Sequence, residues 1–402
     1  MTSNYKRLGD FIEFYNIRAI ELDKNLDIES IRGISSISKS FIKTKANLVG
    51  VVADKYKVVT KNCFAYNPNT ARMGDRIPIA LNTTSEIVLV SSIYPTFKIV
   101  KTNELVPEYL MMWFKRCEFD RYARNKSHGS AREVFDIEEM NELVMPIPSI
   151  EKQQELVREY NTIQNRIALN NQLISKLEET AQTIYKQWFV DFEFPNSPPL
   201  EGCPKDGVVG YKSSGGKMVW CEELEKEIPE GWEYLEIGKI ANIKAGGDKP
   251  KIFSENKTLE NIVPVYSNGV TNKGLYGFTN KSTYTKNSIT ISARGTIGYS
   301  VLRNTDFDAI VRLIVLMPKI NYSSIYLWQT ISKIEFDNSG SVQNQLTIPQ
   351  VSVVKIVFPK KTILEDYYKI QKKIYNNIET KEKETQKIEE LKELLLGRMV
   401  RS

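Results

Sequence analysis

A single histidine, His128, stands in this chain of 402 residues, and that restricts the chemistry on offer. A metal site, a Ser–His–Asp triad or an imidazole general base would each have to use it. It lies in a basic stretch with Arg124, Lys126 and Arg132 and has no neighbouring ligand set, so an ordinary exposed or hydrogen-bonding side chain is expected. The four cysteines, Cys63, Cys117, Cys203 and Cys221, form no C-x-x-C pair and no dense framework, which predicts reduced thiols. Ser214-Gly215-Gly216-Lys217 lacks the spacing and the following hydroxyl residue of a phosphate-binding loop. Acidic residues are plentiful but form no nuclease-like cluster. No catalytic residue and no metal ligand is assigned, and no enzymatic activity is expected of the chain.

Asn67-Pro68-Asn69-Thr70 comes near the Asn-Pro-Pro-aromatic motif of adenine methyltransferases, but the second proline and the aromatic are missing and no glycine-rich cofactor motif precedes it. Turn chemistry accounts for it better. The net charge of +6 and pI near 8.8 are compatible with a nucleic-acid partner without requiring one. Apolar content of 41% and charged content of 26% are those of a globular protein, and the length favours two cores. No apolar run reaches the ~20 residues of a membrane span and the first residues lack a signal-peptide core, so a cytoplasmic location is expected.

The elements that must position any site are organised around a long helix. Leu156, Tyr160, Ile163, Ile167, Asn170, Ile174, Leu177, Ala181, Ile184 and Trp188 are spaced four and three alternately, the narrow seam of a coiled coil. Ser149 can cap its start, and Pro195 prevents continuation past its end. Asn170 interrupts the seam, which fixes register if its amide meets a polar group on the partner.

That partner is in the same chain. Adding 211 to the numbering carries Pro148 to Pro359, Ile163 to Ile374, Ile167 to Ile378, Lys176 to Lys387 and Glu178-Glu179 to Glu389-Glu390. Thr362-Ile363-Leu364-Glu365 reads as a capping box opening the second helix. Its seam holds Ile374, Ile378, Thr385, Ile388, Leu395 and Met399, and is more polar, with Gln371, Lys381 and Lys392 also on it. An antiparallel pairing places Asn170 near Thr385. The repeat extends upstream, with Gly129-Ser130 matching Gly340-Ser341, Ile137 matching Ile348 and Leu143 matching Val354.

Ahead of the first helix, Leu48–Val52, Ile77–Ala80 and Glu86–Val90 read as strands, Pro107–Cys117 as a short helix and Arg121–Arg132 as a basic loop. The Pro- and Gly-rich stretch 193–231 reads as a crossover linker with little core of its own. In the second half, Leu235–Ile240 is similar to Arg7–Ile12, Ala245–Lys251 is a loop, and Ser288–Ser292 and Ala309–Leu316 are strands. The expected class is α+β, with two pseudo-repeated α/β domains separated by two long antiparallel helices that form an intramolecular coiled coil. Its parts are a first domain (1–145), a central helix (146–192), the linker (193–231), a second domain (232–355) and a C-terminal helix (356–402).

Several stretches, taken in order, carry a resemblance. They are Pro146-Ile147-Pro148 with Glu151-Lys152-Gln153-Gln154, Trp188-Phe189-Val190-Asp191-Phe192, Glu227-Ile228-Pro229-Glu230-Gly231-Trp232, and Ala293-Arg294-Gly295-Thr296-Ile297-Gly298. With the half-length repeat, the chain resembles the specificity subunits of type I restriction–modification systems over essentially its whole length. The resemblance implies that each domain is a target recognition domain reading one half of a bipartite double-stranded DNA site. It implies that the helices set the unspecific spacer, and that two methyltransferase subunits and restriction subunits are partners. S-adenosylmethionine, ATP and magnesium would belong to those partners, with no cofactor in this chain.

On that reading, phosphate contacts need Lys or Arg, and base edges need Arg, Asn, Gln, Ser or Thr. The candidates are Asn69, Thr70, Arg72, Arg76, Lys126, Ser130 and Arg132 in the first domain, and Lys249, Lys251, Ser267, Asn268, Arg294, Thr296, Gln343 and Asn344 in the second. The competing reading is a non-catalytic scaffold, two protein-binding modules on a coiled coil. Salt-dependent binding to duplex DNA separates the two.

Overall fold

The computed structural model describes residues 4–22, 26–44, 46–69, 76–127, 133–195, 210–336 and 345–400. The chain divides into two units, one of residues 1–171 with 383–402 and the other of residues 172–382.

Each unit is built on the same four-stranded antiparallel sheet. In the first, Ile12–Tyr15 pairs with Thr96–Ile99, which pairs with Cys63–Tyr66, which pairs with Ile79–Leu81. In the second, the same order is filled by Ala241–Ala245, Ile314–Pro318, Ile289–Ile291 and Ser300–Leu302. Every residue of Cys63–Tyr66 and of Ile289–Ile291 is buried; the first strand is an apolar run, and the second buries the hydroxyl of Thr290 between two isoleucines, where it accepts from Arg303. A further two-stranded pair leads into each long helix: Tyr5–Arg7 with Val144–Pro146, and Glu233–Glu236 with Lys355–Phe358. The copies also share a short apolar helix, Pro107–Phe114 in one and Ser324–Ile331 in the other.

The long helices run Ile150–Phe189 and Lys361–Arg398, and their first residues are 211 positions apart. Short helices Ile137–Asn141 and Ile348–Ser352 keep the same offset. Ser149 accepts a hydrogen bond from the Lys152 N–H at 3.4 Å, capping the first long helix. The second opens at Lys361, with Leu364 N–H bonded to the Lys360 carbonyl, so Thr362 lies inside the helix and is not its cap.

Within the first unit, Leu156, Tyr160, Leu395, Leu396 and Met399 join one core with Leu8, Phe64, Phe97, Phe114 and Met145. Asn170 is buried, and its amide donates to the Thr385 hydroxyl at 3.2 Å. Arg166 pairs with Glu384 at 2.6 Å and Arg398 with Glu159 at 2.9 Å on the flanks of the seam. Within the second unit, Trp188 and Tyr367 meet at 5.4 Å between rings, and Gln371 donates to the Ala181 carbonyl at 3.0 Å. The helices are therefore antiparallel partners in both units. Ile163, Ile167, Ile174, Leu177, Ile184, Ile374 and Ile388 are half-buried, and Ile378 is fully buried.

Four local expectations need correction. Leu48–Val52 is a turn, because Gly50 takes φ +74° and Val49 points to solvent. Arg121–Asn125 is not loop but the second half of helix Cys117–Asn125, whose Phe119 and Ala123 are buried. The described part of the supposed linker is folded: Met218–Cys221 and Lys226–Pro229 form a hairpin. Its neighbours Phe194, Tyr211 and Trp232 stack at 4.6 and 5.2 Å, adding to the core of the second unit. Finally, Ala309–Leu316 is not one strand. Asp308–Ala309 and Ile314–Pro318 belong to different sheets, and Val311 and Arg312 between them have positive φ.

Candidate nucleic-acid interface

In the second unit, the loop leaving strand Ala241–Ala245 is threaded against the break at Val311–Arg312. Gly246 N–H donates to the Leu313 carbonyl, Gly247 N–H to the Ala309 carbonyl and Val311 N–H to the Gly247 carbonyl, at 2.7, 2.9 and 3.0 Å. A Cβ on Gly246 would sit 2.7 Å from the Ala309 carbonyl group, so only glycine permits the approach. The result is a notch of about 440 Å3 lined by Gly246, Gly247, Asp248, Lys249, Arg294 and Arg312. Three cations against one carboxylate give it a positive field.

The candidate residues of this unit fall into three groups. Lys249 and Arg294 line the notch: the Lys249 ammonium lies 3.8 Å above the Phe253 ring, and Arg294 donates twice to Gln345 Oε1, at 3.1 and 2.8 Å. Lys251 and Thr296 are exposed on neighbouring turns, and Ser267 is half-buried. Asn268 is engaged at both ends of its amide, donating to the Val311 carbonyl at 2.8 Å and accepting from the Ala293 N–H at 2.7 Å. It braces the notch, holding the Arg294 turn and the Val311–Arg312 break together.

Beneath this surface Arg303 is buried with only neutral acceptors. It donates to the Thr290 hydroxyl and the Lys273 carbonyl, both at 2.9 Å, and its guanidinium lies 3.5 Å over the Tyr266 ring. Burial pulls its pKa down to about 10. Tyr266 directly precedes Ser267 and Asn268, so Arg303 fixes the base of their loop.

In the first unit, Asn69 is half-buried, its N–H donating to Asn67 Oδ1 at 3.1 Å. Lys126 pairs with Glu139 at 3.4 Å. Arg76 is exposed on the rim of a cleft of about 700 Å3. That cleft is lined by Lys39, Arg76, Lys115 and Lys392 against Asp120, Glu389, Glu390 and Glu393, so its charges balance. Burial, with Lys392 and Lys39 nearby, pushes the Lys115 ammonium below its usual pKa. Lys39 is buried with Asp120: its ammonium reaches Asp120 Oδ1 at 2.6 Å and the Phe114 carbonyl at 2.5 Å. The same Oδ1 accepts the Ile77 N–H at 3.0 Å, tying down the chain just after Arg76. Burial opposes both charges, lowering the lysine pKa and raising the aspartate's. Thr70, Arg72, Ser130, Arg132, Gln343 and Asn344 lie outside the described residues.

Three contributors were not named from the sequence: Arg312, Gln345 and Arg303. For Arg312 a signal existed, since a charge inside the apolar run Ala309–Leu316 must either be buried or break the strand. Among the described residues, no group of three or more His, Cys, Asp or Glu could hold a metal. No described helix is long and apolar enough to cross a membrane.

Two copies of one mixed α/β unit, each leading into a long helix that pairs antiparallel with the other copy's, define the class of protein. Residues 229–390 match the family model of the type I restriction modification DNA specificity domain. The chain is 24% identical over 321 residues to the type I restriction enzyme MjaIX specificity subunit of Methanocaldococcus jannaschii, covering 75% of this chain and 70% of that protein. It is 32% identical over 135 residues to a putative type I specificity subunit of Mycoplasma pneumoniae, covering 33% of this chain and 40% of that one. In fold it is similar to the crystal structure of a type I restriction–modification system S subunit from M. genitalium. That likeness has a TM-score of 0.62 and 15% identity, over 100% of this chain and 99% of that one. Residues 229–390 thus match the type I restriction modification DNA specificity domain, and over 75% of its length the chain is similar to a type I restriction enzyme specificity subunit.

Proposed function

We propose that this chain is the DNA-recognition subunit of a type I restriction–modification assembly and reads a bipartite duplex target, one half-site per unit. The observation that carries the reading is the positive, glycine-lined notch of the second unit, where Lys249, Arg294 and Arg312 meet at loop tips above a rigid sheet. Cationic side chains at such a surface neutralise phosphates and present donors to base edges. Residues 1–145 and 232–355 act as target recognition domains. The two long helices, shared by both units, set the length of unread DNA between the half-sites. The subunit does no chemistry itself. It directs two methyltransferase subunits and restriction subunits, which hold S-adenosylmethionine, ATP and magnesium.

Binding of the full chain to duplex DNA across a salt series tests the reading. Counterion release predicts affinity falling steeply and linearly on logarithmic axes between low and physiological salt. Salt-independent binding, or none, either alone or with the methyltransferase subunits, contradicts it.

A further inference from the structure

The break between Asp308–Ala309 and Ile314–Pro318 places two consecutive non-glycine residues in the left-handed region, Val311 at φ +54° and Arg312 at φ +57°. A β-branched residue there is a genuine outlier, and such conformations persist only where the surroundings over-determine them. The surroundings here do so. Ile310 and Leu313 are buried on either side, and Leu313 N–H closes onto the Ile310 carbonyl at 3.1 Å. Gly247 and the Asn268 amide hold Val311 by its N–H and its carbonyl. Glycine would make the same turn without strain, yet position 312 carries arginine.

The three cations of the notch are not equivalent. Lys249 is seated on Phe253, and Arg294 is bonded to Gln345. Arg312 is exposed and makes no hydrogen bond or ion pair with another described residue, although its guanidinium carries five donors in a fixed fork. A strained backbone therefore presents, at the mouth of a positive notch, one arginine that no described residue engages. We propose that Arg312 is a base-reading residue of the second unit, its fork making a bidentate contact with the edge of a guanine in the major groove. The flanking Lys249 and Arg294 then serve neighbouring phosphates. This rests on the DNA-recognition reading above and adds which side chain discriminates.

The test uses the full chain assembled with its methyltransferase subunits and a library of duplexes randomised in sequence. Enriched motifs are compared between the parent and Arg312→Gly, Arg312→Ala and Arg312→Lys, alongside their melting temperatures. Arg312→Gly is expected to melt no lower than the parent, because glycine relieves the left-handed strain. It should lose about ten- to a hundredfold discrimination at one position of one half-site and leave the other half-site unchanged. Arg312→Ala should lose the same position, and Arg312→Lys should fail to restore it, since an ammonium cannot form the fork.

Full rescue by lysine would reassign Arg312 to a phosphate and overturn the proposal. So would an unchanged motif in Arg312→Gly or Arg312→Ala, or an equal loss at both half-sites. A lower melting temperature for Arg312→Gly would overturn the strain argument. If the parent assembly enriches no motif at all, the DNA-recognition reading fails, a result distinct from any of these.

Discussion

The two units share a strand order but not a way of supporting their loops. In the first, a buried ion pair between Lys39 and Asp120 anchors the chain at Ile77, and the adjoining cleft balances four cations with four carboxylates. In the second, a buried arginine, Arg303, leans only on neutral acceptors and an aromatic ring, and the adjoining notch keeps an excess of positive charge. A duplicated scaffold has thus kept its sheet and its helix while the surroundings of its loops diverged. The proposed recognition of two different half-sites needs that separation, because shape-determining strands and sequence-determining loops are then free to change independently.

The contrast between the two buried cations should give the biggest change on mutation. Asp120→Asn leaves the Lys39 ammonium buried without its counter-charge, and the first unit should lose about 3–5 kcal/mol in urea unfolding. Thr290→Val removes one neutral acceptor from the buried Arg303 guanidinium and should cost about 1.5–3 kcal/mol. Equal losses would show that the two buried cations are supported in the same manner. Next in size, Gly246→Ala forces a Cβ against the Ala309 backbone. It should destabilise the second unit by about 1–3 kcal/mol, read by thermal melting, and distort the notch. Arg294→Ala removes a phosphate contact, so it should weaken binding to duplexes of every sequence about equally and lower the salt slope by about one, read by competition binding across a salt series. The smallest effect lies in the seam. Replacing Asn170 and Thr385 together by valine should raise the unfolding free energy by about 1 kcal/mol while loosening the helix register, visible as heterogeneous cross-linking between the helices.

Much of the scaffold was legible because its signals are strongly periodic. The four-and-three seam fixes which side of Ile150–Phe189 is covered, and the 211-residue offset reproduces the starts of both long helices and of Ile137–Asn141 and Ile348–Ser352. Asn170 could be matched with Thr385 because an antiparallel register leaves it little choice. The loops were less legible for a physical reason. Ala309–Leu316 has the composition of one buried strand, and its break at Val311–Arg312 is imposed by hydrogen bonds from Gly246, Gly247 and Asn268, all more than 40 residues upstream. Helix Cys117–Asn125 looks like a charged loop until Phe119 and Ala123 find the core. Asn268 has the residue type of a base reader, and only the structure shows both ends of its amide already in use.

The central claim is that each unit reads its own half of an interrupted target. Mapping methylated bases in cells that express the chain with its methyltransferase subunits tests it most directly, comparing the parent with Arg312→Ala. The account predicts a parental motif in two halves separated by unspecified bases, and a variant whose motif is relaxed in one half alone. A single continuous motif in the parent, or relaxation of both halves in the variant, would contradict it.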